Sequence, residues 1–77
     1  MANENLEMME AWKASKPALM QKALGLSDEQ IGIIPGIYQS AWDLARKNRY
    51  AYPAAKARAE IAAKQYIAKF GPKMILA

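Results

Sequence analysis

Apolar residues recur along this chain at the spacing of amphipathic helices, interrupted by proline and glycine. Leu6, Met9 and Trp12, with Met8 beside them, predict a first helix over residues 4–14. Asn3 is placed to cap it, and Glu4 and Glu7 put negative charge where the helix dipole favours it. Pro17 is disfavoured inside a helix, so a restart is predicted near Ser15 or Lys16, running to Leu24 with Leu19, Met20 and Ala23 as its apolar face. Gly25 then suits a left-handed C-terminal cap. Ser27 and Gln30 have the spacing of a capping box, and Leu26 with Ile31 that of a hydrophobic staple. A short helix is therefore predicted from Asp28, stopped near Ile34 by Gly32 and Pro35-Gly36.

A longer helix is predicted over residues 36–49. One side carries Ile37, Tyr38, Ala41, Trp42, Leu44 and Ala45, with Asn48 and Arg49 at its frayed end, and the other carries Gln39, Ser40, Asp43, Arg46 and Lys47. Asp43 and Lys47 form an i,i+4 pair of the favourable order. Pro53 opens the last helix, which runs to Phe70 and stops at Gly71-Pro72. Its wheel has a broad apolar arc (Ala55, Ala59, Ala62, Ala63, Tyr66, Phe70, with Ile67 at the edge). A second, narrow arc holds Ala57, Ile61 and Ala68. The expected fold is all-α: one domain over residues 1–77, a small bundle of four to five short helices whose last two form an antiparallel hairpin. The apolar tail, with Met74, Ile75 and Leu76, is expected to pack back on the bundle or dock into a partner.

Composition narrows what such a bundle does. A chain of 77 residues buries only about 60% of its unfolded surface, so its stability margin is thin. It has no cysteine and no histidine, which removes disulfides, the commonest metal ligand and the commonest general base. Ser15 and Ser27 sit at predicted helix starts, where capping accounts for them, and Ser40 has no candidate base at a meaningful spacing. Glu7 and Glu10 are an isolated carboxylate pair. No glycine-rich phosphate loop occurs. Neither catalysis nor a metal or other cofactor is expected.

The net charge of +4 is unevenly placed. Residues 31–77 carry eight basic side chains against Asp43 and Glu60, a net of +6, whereas residues 1–30 carry a net of −2. The stretch 46–58 (R-K-N-R-Y-A-Y-P-A-A-K-A-R) concentrates Arg46, Lys47, Arg49, Lys56 and Arg58 with Tyr50 and Tyr52. These side chains suit phosphate neutralisation and stacking on unpaired bases. The run A-L-G-L-S-D-E-Q-I, residues 23–31, resembles the turn of bacterial helix-turn-helix DNA-binding domains. A recognition helix presents Arg, Lys, Asn or Gln to base edges, but here Asp28 and Glu29 would be presented, so sequence-specific reading by this element is not expected.

The leading expectation is a non-enzymatic interaction or assembly protein. It would self-associate as a homo-oligomer or dock onto a larger complex, with Met8, Trp12 and the tail residues Met74, Ile75 and Leu76 as the partner-binding candidates. A component of a phage or virion particle fits this description. The alternative is a basic nucleic-acid-binding module using residues 46–58. Membrane association is not expected, because no run of about 18 apolar residues exists and alanine dominates the last helix. The acidic N-terminus does not read as a secretory signal, so a cytoplasmic setting, or a particle assembled there, is expected.

Overall fold

Three helices, rather than four or five, carry the chain between residues 2 and 70: α1 (Ala2–Lys22), α2 (Asp28–Lys47) and α3 (Tyr52–Phe70). The computed structural model describes the backbone of residues 2–70 and the side chains of residues 6–70; Met74, Ile75 and Leu76 lie outside this range. The all-α class holds. The helix count is corrected because Pro17 and Pro35 lie inside continuous helices.

Magnitudes explain why the prolines fail to break them. An interior proline costs about 3 kcal/mol. Against this, Ala11, Ser15, Leu19 and Ala23 form one buried stripe that crosses Pro17 without a change of register. Ile34, Tyr38 and Trp42 form another, which crosses Pro35 in the same way. Each large side chain buried in this way contributes roughly 1.5–3 kcal/mol, and a break would turn half of each stripe out of the core. Both prolines are exposed, so water can serve the carbonyl that each leaves without an intrahelical donor. α1 also begins at Ala2, which puts Asn3 inside its first turn rather than at a cap.

Local signals at the other ends behave as their chemistry dictates. Gly25 takes a positive φ of 97° after α1. The Ser27 side chain accepts from the Gln30 amide at 3.2 Å, and the Ser27 amide donates to Gln30 Oε1 at 3.0 Å, completing the capping box. Leu26 is buried in the core and Ile31 is partly buried against the same core.

α2 and α3, joined by residues 48–51, pack along their lengths as a hairpin, and α1 lies across both. Ala55, Ala59 and Ala63 are fully buried on α3, and Trp42 and Tyr38 of α2 are the largest fully buried side chains of the same core. The α2 arc is only partly used. Ile34, Tyr38, Trp42 and Ala45 are buried, yet Leu44 stays 61% exposed and Ile33 49% exposed. Ile61, on the narrow arc of α3, is 53% exposed.

Candidate functional site

The basic stretch forms the hinge of the α2–α3 hairpin. α2 ends at Lys47, with Asn48 as its cap residue. Arg49 follows in the left-handed region, with φ 68°. Its amide donates to the Arg46 carbonyl at 3.0 Å and the Tyr50 amide donates to the Ala45 carbonyl at 3.0 Å. These two bonds define a Schellman turn, whose left-handed position is normally glycine.

The hinge side chains have different fates. The Arg46 guanidinium donates to the Tyr50 carbonyl at 3.2 Å and pairs with Glu7 at 3.5 Å, tying the hinge to α1. Arg58 lies 4.6 Å from the Tyr50 ring centre and donates to the Tyr50 hydroxyl at 3.0 Å. Tyr52 is half-buried, its ring edge-on to Trp42 at 5.4 Å. Lys56 donates to Glu60 at 2.7 Å, one turn along α3. Lys47 and Arg49 are exposed, and among the described residues neither has an ion-pair partner within 4 Å. The expected Asp43–Lys47 pair is not formed at that distance. The hinge therefore gathers Lys47, Arg49, Arg58 and Tyr50 at its surface, while Arg46, Tyr52 and Lys56 are engaged in holding the helices.

Met8 and Trp12 lie on α1, half-buried against the core, with the Trp12 ring edge-on to Tyr38 at 5.1 Å.

A polar cluster lies beneath them that spacing along the chain did not reveal. Ser15 is not a cap but an interior residue of α1, 3% exposed. Its hydroxyl donates to Glu60 Oε2 at 2.6 Å and lies 3.0 Å from the Tyr38 hydroxyl. Serine has one proton, already given to the carboxylate, so the tyrosine donates in the second bond. Burial alone would push the Glu60 carboxyl up, but the bonds from Lys56 and Ser15 outweigh it and hold the carboxyl below its usual value. The Glu60 bond in turn raises Lys56, and burial raises the Tyr38 phenol. The Ser15 hydroxyl is buried, and through its bonds to Tyr38 and Glu60 the cluster ties the three helices together. Its one sequence signal was the i,i+4 spacing of Lys56 and Glu60.

The other feature that spacing missed is a shallow apolar groove on the outer side of the hairpin. It is lined by Ile33, Gly36, Ile37, Ser40, Ala41 and Leu44 of α2 and by Ala62 of α3. At its hinge end a smaller cleft, shared through Ala41 and Leu44, reaches Asn48, Tyr50 and Arg58. Among the described residues no group of three or more acidic side chains is placed to hold a metal, and no helix is long and apolar enough to cross a membrane. No known protein family, characterised protein or solved structure matches the chain.

Proposed function

We propose that the protein is a non-enzymatic interaction and assembly component that works by offering helical surfaces to a protein partner, a second copy of itself included. The observation that carries this reading is the open face of the hairpin. The bundle covers only half of the apolar arc of α2 and leaves Ile33 and Leu44 exposed along one groove, with Ile37 half-buried between them. Small domains rarely leave several large aliphatic side chains adjacent and uncovered unless something else covers them. Sedimentation equilibrium tests it. The wild-type chain is expected to gain mass with concentration, and Leu44→Asp to remain monomeric with an unchanged helical circular dichroism spectrum. Equal masses for the two proteins at millimolar concentration would overturn the reading.

A second reading, nucleic-acid binding through the hinge, is favoured by the clustering of Lys47, Arg49 and Arg58 around Tyr50, which puts positive charge and one aromatic face together. Fluorescence anisotropy with a generic single-stranded oligonucleotide is expected to show binding that weakens steeply with salt, with a shallower slope for Lys47→Ala/Arg49→Ala, which removes the two exposed hinge charges without touching the Arg46 tie. Salt-independent or undetectable binding counts against it.

A further inference from the structure

The open face of α2 carries its own indication of what covers it. Glu29, Ile33, Gly36, Ser40, Leu44 and Lys47 recur at steps of three and four and so share one side of the helix. Glu29 and Lys47 are 18 residues apart, which is five full turns at about 3.6 residues each, so they point the same way. The apolar strip between them is thus acidic at one end and basic at the other, where Lys47 and Arg58 outnumber Asp43 one turn before Lys47. At the acidic end Asp28 adds to Glu29 in the first turn; at the basic end Arg58 lies next to Leu44. The middle of the strip is low: a Cβ added at Gly36 would meet nothing within 4 Å.

Such a strip is complementary to itself when turned end for end. Glu29 with Lys47, and Gly36 with Ser40, are both centred on residue 38, and Ile33 with Leu44 on nearly the same point. We infer that the occupant of this face is a second copy of the same chain, docked antiparallel on α2 about a two-fold axis that crosses the helix near Tyr38. The two-fold sets Glu29 of each copy against Lys47 of the other. It sets Ile33 and Leu44 of one copy against each other's counterparts, and it brings the low centres into contact, where the two α2 backbones approach closely. A parallel copy would place Glu29 on Glu29 and Lys47 on Lys47, which like-charge repulsion disfavours.

This inference rests on the assembly reading above and specifies its partner. The test uses the full chain and two charge reversals, Glu29→Lys and Lys47→Glu, both at exposed positions. Each variant alone is expected to self-associate more weakly than wild type by roughly tenfold, since each symmetric dimer then holds two like-charge contacts. Mixing the two variants in equal amounts is expected to restore association, because both contacts in the mixed dimer again unite opposite charges. The double variant Glu29→Lys/Lys47→Glu is expected to restore it too, and circular dichroism confirms that every chain is folded. A wild-type chain that stays monomeric at millimolar concentration overturns both the geometry and self-association. A wild-type chain that associates, with single variants indistinguishable from it or a mixture no tighter than its components, overturns the geometry alone.

Discussion

At the scale of single residues, Arg49 is the position where local preference and observed backbone disagree. Its φ of 68° belongs to the region that glycine enters freely and other residues enter at a cost of roughly 1–2 kcal/mol. Nothing in the chain flagged this, since the usual signal for a Schellman turn is a glycine and Asn48-Arg49 does not supply one. Arg49→Gly is therefore expected to stabilise the fold by about 0.5–1 kcal/mol, part of the relief being lost to the freer unfolded chain. Urea unfolding measures this, and a lowered midpoint would mean that the arginine side chain contributes more than its backbone costs.

At the scale of elements, the question is what seats α1 on the hairpin. Alanine and leucine make up much of its buried stripe, and Ser15 in the middle of that stripe supplies direction. Ser15 joins α1 to Tyr38 on α2 and Glu60 on α3, and Lys56 completes the charge balance. Because the folded carboxyl of Glu60 lies below its unfolded value, its contribution is complete at neutral pH and is lost as pH falls through the carboxylate range. Lys56 and Tyr38 are raised, so their contributions are also complete at neutral pH and are lost as pH rises through their folded values. A plateau of stability around neutral pH with losses on both sides follows. Ser15→Ala is expected to cost about 1–3 kcal/mol at neutral pH by stripping partners from a buried phenol and a carboxylate. It is also expected to reduce the loss on the acid side, since Glu60 then keeps one donor fewer. Urea midpoints between about pH 3 and about pH 7 check both effects, and an unchanged acid-side loss would show that Ser15 does not help hold Glu60 ionised.

At the scale of the whole molecule, a three-helix body of this size has little to spare. It has no cysteine to staple it, and it leaves Ile33, Leu44 and Ile61 in water. Covering those side chains with a partner recovers apolar burial that the chain cannot achieve alone, at roughly 25 cal/mol for each Å² removed from water. The charge imbalance has the same architecture. The positive excess of the second half gathers at the hinge, and the acidic first turn of α2 lies at the opposite end of the hairpin. The proposed assembly face of α2 and the proposed anion-binding hinge share Lys47 and Arg58, so occupation of one would hinder the other.

Much of this was legible in the chain, and the division follows the range of the interactions. The capping box at Ser27, the left-handed turn at Gly25, the alanine stripe of α3 and the end of that helix at Phe70 each depend on residues within a turn or two of one another, so spacing alone determined them. Continuity through Pro17 and Pro35 depended on stripes that gain only when another helix lies against them. The same holds for Ser15, which reads as a cap from its neighbours and becomes a three-helix tie only when Glu60, 45 positions away, is brought to 2.6 Å. An apolar arc likewise announces that something will cover it. Which half the bundle covers, and so which half is left to offer, was decided by where α1 and α3 came to rest.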